Sequence, residues 1–227
     1  MRNKIIYLKI DKNVIKKFPD LNVLLKIIQG VRVEEINAEL EKFKLEVYEG
    51  IRTKYLLGSL KDISPFRLYR NFFWSIGIDS TKNRPAAEAL IRRILTGKSI
   101  PKINIFVDSY NLASIQTGIA IAAFDLDQLE KNLVMKFAKT GDQFLGIDMK
   151  IPMVLKGGEV VIEEGNRLVA VYPYRDADYS KITFHTKNIA FIMCGVPGLE
   201  SKYLKEASEI AVNYILKFCG SSIQIIH

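Results

Sequence analysis

Residues 84–127 restrict the fold of this chain more than any other stretch. They read R-P-A-A-E-A-L-I-R-R-I-L-T-G, then I-P-K-I-N-I-F-V-D-S-Y-N, and end in F-D-L-D. Pro85 in a first turn and Gly97 just past the last apolar position bracket a helix over 85–95. Ala87, Leu90, Ile91 and Ile94 form its core stripe, and Glu88 and Arg92 are spaced for an i,i+4 ion pair. The apolar run Ile103–Val107 predicts a buried strand, which Asp108-Ser109-Tyr110-Asn111 then turns into a short helix. Asp and Asn at such a junction are ordinary helix caps. Two of them, with a further acidic pair at Asp125 and Asp127 behind Phe124, leave room for a binding role, because carboxylates and amides are costly to bury without a purpose.

Around this stretch the periodicity alternates between helix and strand. Residues 4–10 and 23–33 read as strands, the second broken at Gly30. From Glu34 to about Leu57, the residues Ile36, Leu40, Phe43, Val47 and Ile51 mark one stripe of a long amphipathic helix. Ser64-Pro65 opens a shorter helix whose buried face is Phe66, Tyr69, Phe73 and Ile76. Arg67, Arg70 and Trp74 recur on another face. They form either a stacking-plus-phosphate surface for RNA or a packed tryptophan with arginines paired to acids. After Thr117 the pattern turns to β at 119–124, 133–139, 159–163, 167–174 and 188–194, and an amphipathic helix closes the chain over about 200–218. Helices come early and strands late, so the 227 residues read as one α+β unit over 1–227.

Composition narrows the chemistry. The two cysteines, Cys194 and Cys219, sit in apolar surroundings and read as reduced, buried thiols. Only His185 and His227 are present, with no Cys-x-x-Cys or His-x-x-x-His pair, so no metal site and no cofactor is expected. Gly-rich phosphate loops and the G-x-S-x-G nucleophile motif are absent. No apolar run approaches a membrane span, and the N-terminus alternates charged with apolar residues, so no membrane association and a cytoplasmic location are expected. The formal net charge of +8 favours a polyanionic partner.

Pro101-x-Ile103-Asn104-x-x-Val107-Asp108-x-x-Asn111, followed by Phe124-Asp125-x-Asp127, resembles the B3/B4 domain of the phenylalanyl-tRNA synthetase beta chain. Ala138-x-x-Gly141-Asp142 is similar to that family's Ala-x-x-Gly-Glu, and Thr186-x-Asn188-Ile189 to its Thr-x-Asn-Val. The resemblance is strongest over residues 65–195. The helix opening at Arg84-Pro85 is similar to that of free-standing proteins built on this domain. The resemblance implies a three-layer α+β fold with a β-sandwich of unusual topology and flanking helices. It also implies a tRNA-related, RNA-binding role, with hydrolysis of mischarged aminoacyl-tRNA in trans as its enzymatic form. Two positions depart from the pattern: Ala122 stands where the synthetase has histidine, and Ala86 where free-standing members often have serine.

These departures put an inherited hydrolytic mechanism in doubt and leave His185 as the internal candidate for general-base work. Candidate substrate-binding residues are Asp108, Asn111, Asp125, Asp142, Glu159 and Arg175, expected to converge on one cavity. Candidate RNA contacts are Arg67, Arg70 and Arg84. The alternatives are a binding protein for an amino-acid-like small molecule with no RNA role, and a non-catalytic partner in an RNA complex.

Overall fold

The computed structural model describes residues 5–220 and 223–226, so Lys4 and His227 lie outside the described residues. The chain begins with β1 (Leu8–Ile10), α1 (Lys12–Lys17) and β2 (Val23–Gln29). Four helices follow: α2 (Ala38–Lys54), α3 (Phe66–Ser75), α4 (Ala86–Leu95) and α5 (Ile105–Thr117). The β-rich part then runs β3 (Ala120–Asp125), β4 (Leu133–Phe137), β5 (Gln143–Phe144), β6 (Met153–Val154), β7 (Val160–Glu164), β8 (Arg167–Val171), β9 (Arg175–Asp176) and β10 (Asn188–Cys194). Helix α6 (Ser201–Cys219) and β11 (Gln224–Ile226) complete the described chain.

The strands form a five-stranded sheet of order β1-β4-β7-β8-β9, a four-stranded sheet of order β11-β2-β10-β3, and the small pair β5-β6. Among the described residues only β1 and β4 pair in parallel; the other ladders are antiparallel. Strand β10 is the centre of the four-stranded sheet and is buried from Ile189 to Cys194, which explains its unbroken apolar run. One face of that sheet meets helices. Phe191 makes edge contacts with Phe106 and Tyr110 of α5 at ring separations of 6.2 and 6.0 Å. The other face, through Val23, Leu25 and Ile27, turns toward Leu8 and Ile10 of the five-stranded sheet. The order is therefore helices, four-stranded sheet, five-stranded sheet: the expected three-layer α+β arrangement.

Helix α5 corrects the expectation of a strand over 103–107. It begins at Ile105, capped by Asn104, whose side chain accepts the Val107 N–H at 2.9 Å, and it ends at Gly118 in the left-handed conformation. The reason is burial on all sides. The sheet lies on one face of α5, and a second core lies on the other, where Ile51, Phe66, Ile91 and Ile94 of α2, α3 and α4 meet Ile115. A helix enclosed in this way loses its polar stripe and with it the 3.6-residue period, so its first turn reads like a buried strand. Helices α2, α4 and α6 keep a solvent face and lie close to their expected ranges. Ile36 is the exception in the α2 stripe: it precedes the helix and is 60% exposed. Both cysteines are free and buried, as expected. Among the described residues no helix is long and apolar enough to cross a membrane.

Candidate functional site

Strand β3 is the last strand of one sheet and β9 the last of the other, and a cleft of about 290 Å³ opens between them. Helix α5 contributes Tyr110 and Asn111 to its wall, β3 contributes Ala120, Ile121 and Ala122, and β8–β9 contribute Ala170, Tyr172, Tyr174, Arg175 and Asp176. Ala86, in the first turn of α4, also reaches the cleft, and Asp148 comes from the loop between β5 and β6. Aliphatic walls with a few converging polar groups are the usual form of a small-molecule site.

An edge strand presents backbone groups that need partners. Here the Ala123 N–H of β3 is turned to the Asp176 carboxyl of the facing sheet. Residue 176 as a whole is half-buried, while its carboxyl is surrounded by protein. Burial pushes this carboxyl from 3.8 up to about 7, and the Ala123 N–H offsets only part of the rise. The neighbouring Tyr110 hydroxyl is raised by burial first and by the charges of Asp176 and Asp108 second. The Cys194 thiol, also on the cleft wall, is raised by burial and then by Asp176. Both therefore stay protonated near neutrality.

Arg175 is held in place by the protein without being neutralised. One of its N–H groups donates to the Ile147 carbonyl at 2.9 Å, and its guanidinium lies 5.5 Å from the Tyr174 ring centre. Among the described residues no carboxylate forms an ion pair with it. The Tyr174 hydroxyl donates to Asn83 Oδ1 at 3.0 Å, and its ring meets Phe73 at 6.3 Å. These contacts tie the cleft wall to the end of α3 and to the segment preceding α4.

Of the six residues expected to share a cavity, Asn111 and Arg175 do so. The other four are engaged elsewhere. Asp108 is a buried residue of α5 rather than a cap; it accepts from Lys44 Nζ at 2.7 Å and from the Ile103 N–H at 3.1 Å. Asp125 accepts from Thr186 Oγ1 at 2.6 Å and from the Asp127 N–H at 3.0 Å. Asp142 takes the Lys139 N–H at 2.8 Å and borders a separate hollow with Glu163, Arg167 and Tyr179. Glu159 takes the Lys156 N–H at 2.9 Å. Each of the four accepts a hydrogen bond from a nearby backbone N–H, while the second carboxylate oxygen of Glu159 is buried without a hydrogen-bond partner among the described residues.

Of the arginines expected to meet RNA, Arg67 and Arg84 are exposed. Arg70 is instead committed to Glu88, with two bonds of 2.7 and 2.8 Å to a carboxylate that is fully buried. Arg92 adds the expected i,i+4 contact at 3.6 Å. Trp74 is 54% exposed, so it does not pack as a core residue. His185 is exposed and outside the cleft, with its backbone N–H turned to Thr183 Oγ1 at 3.3 Å. Sequence reasoning passed over Tyr110, Asp148 and Asp176. A two-residue strand carries no periodicity, and Asp176 had only its position next to Arg175 to announce it.

The positions that depart from the family pattern, Ala86 and Ala122, are 36 residues apart in sequence yet line this one cleft. The chain is 38% identical over 78 residues to the phenylalanine–tRNA ligase beta subunit of Thermotoga maritima, covering 34% of this chain and 10% of that protein. The beta subunit from Francisella tularensis is 24% identical over 247 residues, covering 97% of this chain and 31% of that one. The chain thus spans about a third or less of the length of these curated relatives. In fold it is similar to an N-terminal fragment of the phenylalanyl-tRNA synthetase beta-subunit from Pyrococcus horikoshii, with a TM-score of 0.53 at 12% identity over 99% of this chain and 51% of that one. The B3/4 domain model matches residues 68–220, well over half of the sequence, and the chain belongs to the B3/4 domain family.

Proposed function

We propose that this protein is a tRNA-related binding module whose cleft receives the aminoacyl end of a charged tRNA. The observation that carries the reading is the convergence of Ala86, Asn111 and Ala122, from the successive elements α4, α5 and β3, with Arg175 of the distant β9 on one hollow. Membership in a family represented in phenylalanine–tRNA ligase beta subunits supplies the tRNA context. The volume of about 290 Å³ suits an amino-acid side chain with part of a ribose. Asn111 and Arg175 offer hydrogen-bond donors to ester and sugar oxygens, and Arg84, exposed two residues before Ala86, is placed for a phosphate.

The unpaired Arg175 also supports a second reading, because a guanidinium held open suits the carboxylate of a free amino acid. Calorimetry separates the two. An adenosine carrying an amino acid on its 3′ position through a non-hydrolysable amide should bind, and Asn111→Ala and Arg175→Ala should each weaken it by about tenfold, the loss of one good polar contact. Binding of free amino acids alone would favour the small-molecule reading. Binding of neither probe would remove both.

A further inference from the structure

Trp74 is the one tryptophan of the chain, and it stands 54% exposed near the end of α3. The other exposed residues of that helix are Arg67, Asn71 and Ser75, and the helix carries no acidic residue. Arg67, Asn71 and Trp74 are spaced i, i+4 and i+7, so they stand on one stripe. A single exposed ring is ordinary in itself; what distinguishes Trp74 is its setting. A flat ring set among polar and basic side chains is a platform for stacking rather than part of an apolar docking face.

The contacts of α3 set this ring outside the cleft but next to its wall. Arg70, one turn before Trp74, is bonded to Glu88 in the first turn of α4 at 2.7 and 2.8 Å. Phe73 meets the Tyr174 ring at 6.3 Å, and the Tyr174 hydroxyl reaches Asn83 at 3.0 Å. Tyr174 lines the cleft. Trp74 and Arg84, the chain neighbours of those two anchored residues, are exposed, and so is Lys82. Among the described residues neither Arg67 nor Arg84 forms an ion pair, and Lys82 reaches Asp79 only at 4.0 Å. Asp79 is the one acid between residues 79 and 84, and its carboxylate accepts from the Thr81 N–H and hydroxyl at 2.8 and 2.6 Å. The strip thus offers free cations and one flat ring, the combination that suits a chain of phosphates with unpaired bases.

We infer that Trp74 stacks on an unpaired base of a single-stranded RNA segment lying outside the cleft, with Arg67 and Arg84 on its phosphates. The inference rests on the reading above for which segment this is: the one that leads to the 3′-terminal nucleotide received by the cleft. Stacking on a π face and pairing with phosphates do not depend on base identity, so the strip holds a single strand of any sequence. In a duplex the bases already stack on one another and leave no face for the ring, so double-stranded RNA meets only the cations.

Because the chain has one tryptophan, its indole fluorescence reports on this side chain alone. A single-stranded RNA of about six nucleotides should quench that emission, and a blunt duplex of the same sequence should not. An abasic strand with the same phosphates should bind more weakly and without quenching. By anisotropy of end-labelled RNA, Trp74→Ala should lower affinity for the strand about tenfold, and Trp74→Phe should recover part of it. Both variants should bind the amide-linked adenosine in calorimetry as the wild type does. Strand binding without quenching overturns the inference and leaves the cleft reading standing, as does a Trp74→Ala protein that binds the strand as tightly as wild type. Equal affinity for the abasic strand also overturns it, by reducing the strip to phosphate contacts. Sedimentation tests the other occupant: self-association that Trp74→Ala abolishes would assign the ring to a second copy of this chain and overturn the inference too. If the strand quenches but the amide-linked adenosine does not bind, the cleft reading falls and the stacking strip stands. Failure of both probes removes both.

Discussion

Arg70 illustrates how a side chain suited to RNA can be spent inside the protein. Its spacing with Arg67 and Trp74 on α3 is that of a nucleic-acid face, but Glu88 of α4 is fully buried, and Arg92 of its own helix reaches it only at 3.6 Å, so the close charge partner comes from the neighbouring helix. Removing one member of such a pair strands the other charge in a low-dielectric interior, so Arg70→Ala should cost about 3–5 kcal/mol in urea unfolding. Replacing both residues by apolar ones should cost much less, and equal losses in the single and double variants would show that the pair is not coupled. Asp176 has the opposite energetic sign. Its folded value of about 7 lies above the ordinary 3.8, so the folded state holds the proton more tightly than the unfolded chain. Stability from this group is fully present below about 3.8 and is lost as pH rises toward 7. Asp176→Asn should therefore raise the melting temperature relative to wild type more at about pH 8, above the folded value, than at about pH 5, inside the window where only part of the loss has developed. A pH-independent difference would place the carboxyl in water.

At the scale of elements, the sequence was readable where one face of an element met solvent or where an apolar run had polar ends. Helix α6 and strand β10 lie within a residue of expectation, the first through its amphipathic stripe and the second through an apolar run bounded by polar residues. The start of α5 was hidden because that helix is enclosed by protein, and β9 because two residues cannot show a period. Asp176 was passed over for the second reason, while Asp108, Asp125, Asp142 and Glu159 were grouped with Asn111 and Arg175 because a carboxylate that accepts from the protein's own donors and one that lines a cleft look alike in sequence. Close approach of backbone to side chain is equally invisible. A Cβ at Gly146 would lie 2.4 Å from Arg175 Cδ and 2.8 Å from its Cγ. The flexible arginine stem can move where backbone could not, so Gly146→Ala should swing Arg175 away from the Ile147 carbonyl. The expected result is about a tenfold loss of affinity for the cleft ligand, with unfolding stability changed by less than about 1 kcal/mol. Unchanged affinity would mean that Arg175 does not touch the ligand.

For the whole molecule, the net charge of +8 acts through where its cations are free. Arg70 and Lys44 are spent on buried acids, whereas Arg67 and Arg84 remain exposed, and Arg84 stands beside the cleft by way of Ala86. Each cation that neutralises a phosphate releases counterions, so the logarithm of the affinity for a single-stranded end falls with the logarithm of salt by about 0.7 per contact. Arg84→Ala and Arg67→Ala should each reduce the slope for tRNA by roughly that amount. Arg70→Ala should leave the slope unchanged as long as the protein stays folded, because its guanidinium never faces solvent phosphate. Filter binding of deacylated tRNA from about 50 to 200 mM salt would measure all three. If Arg84→Ala leaves the slope intact, the nucleic acid approaches the cleft from another side, and the basic excess belongs to solubility rather than to recognition.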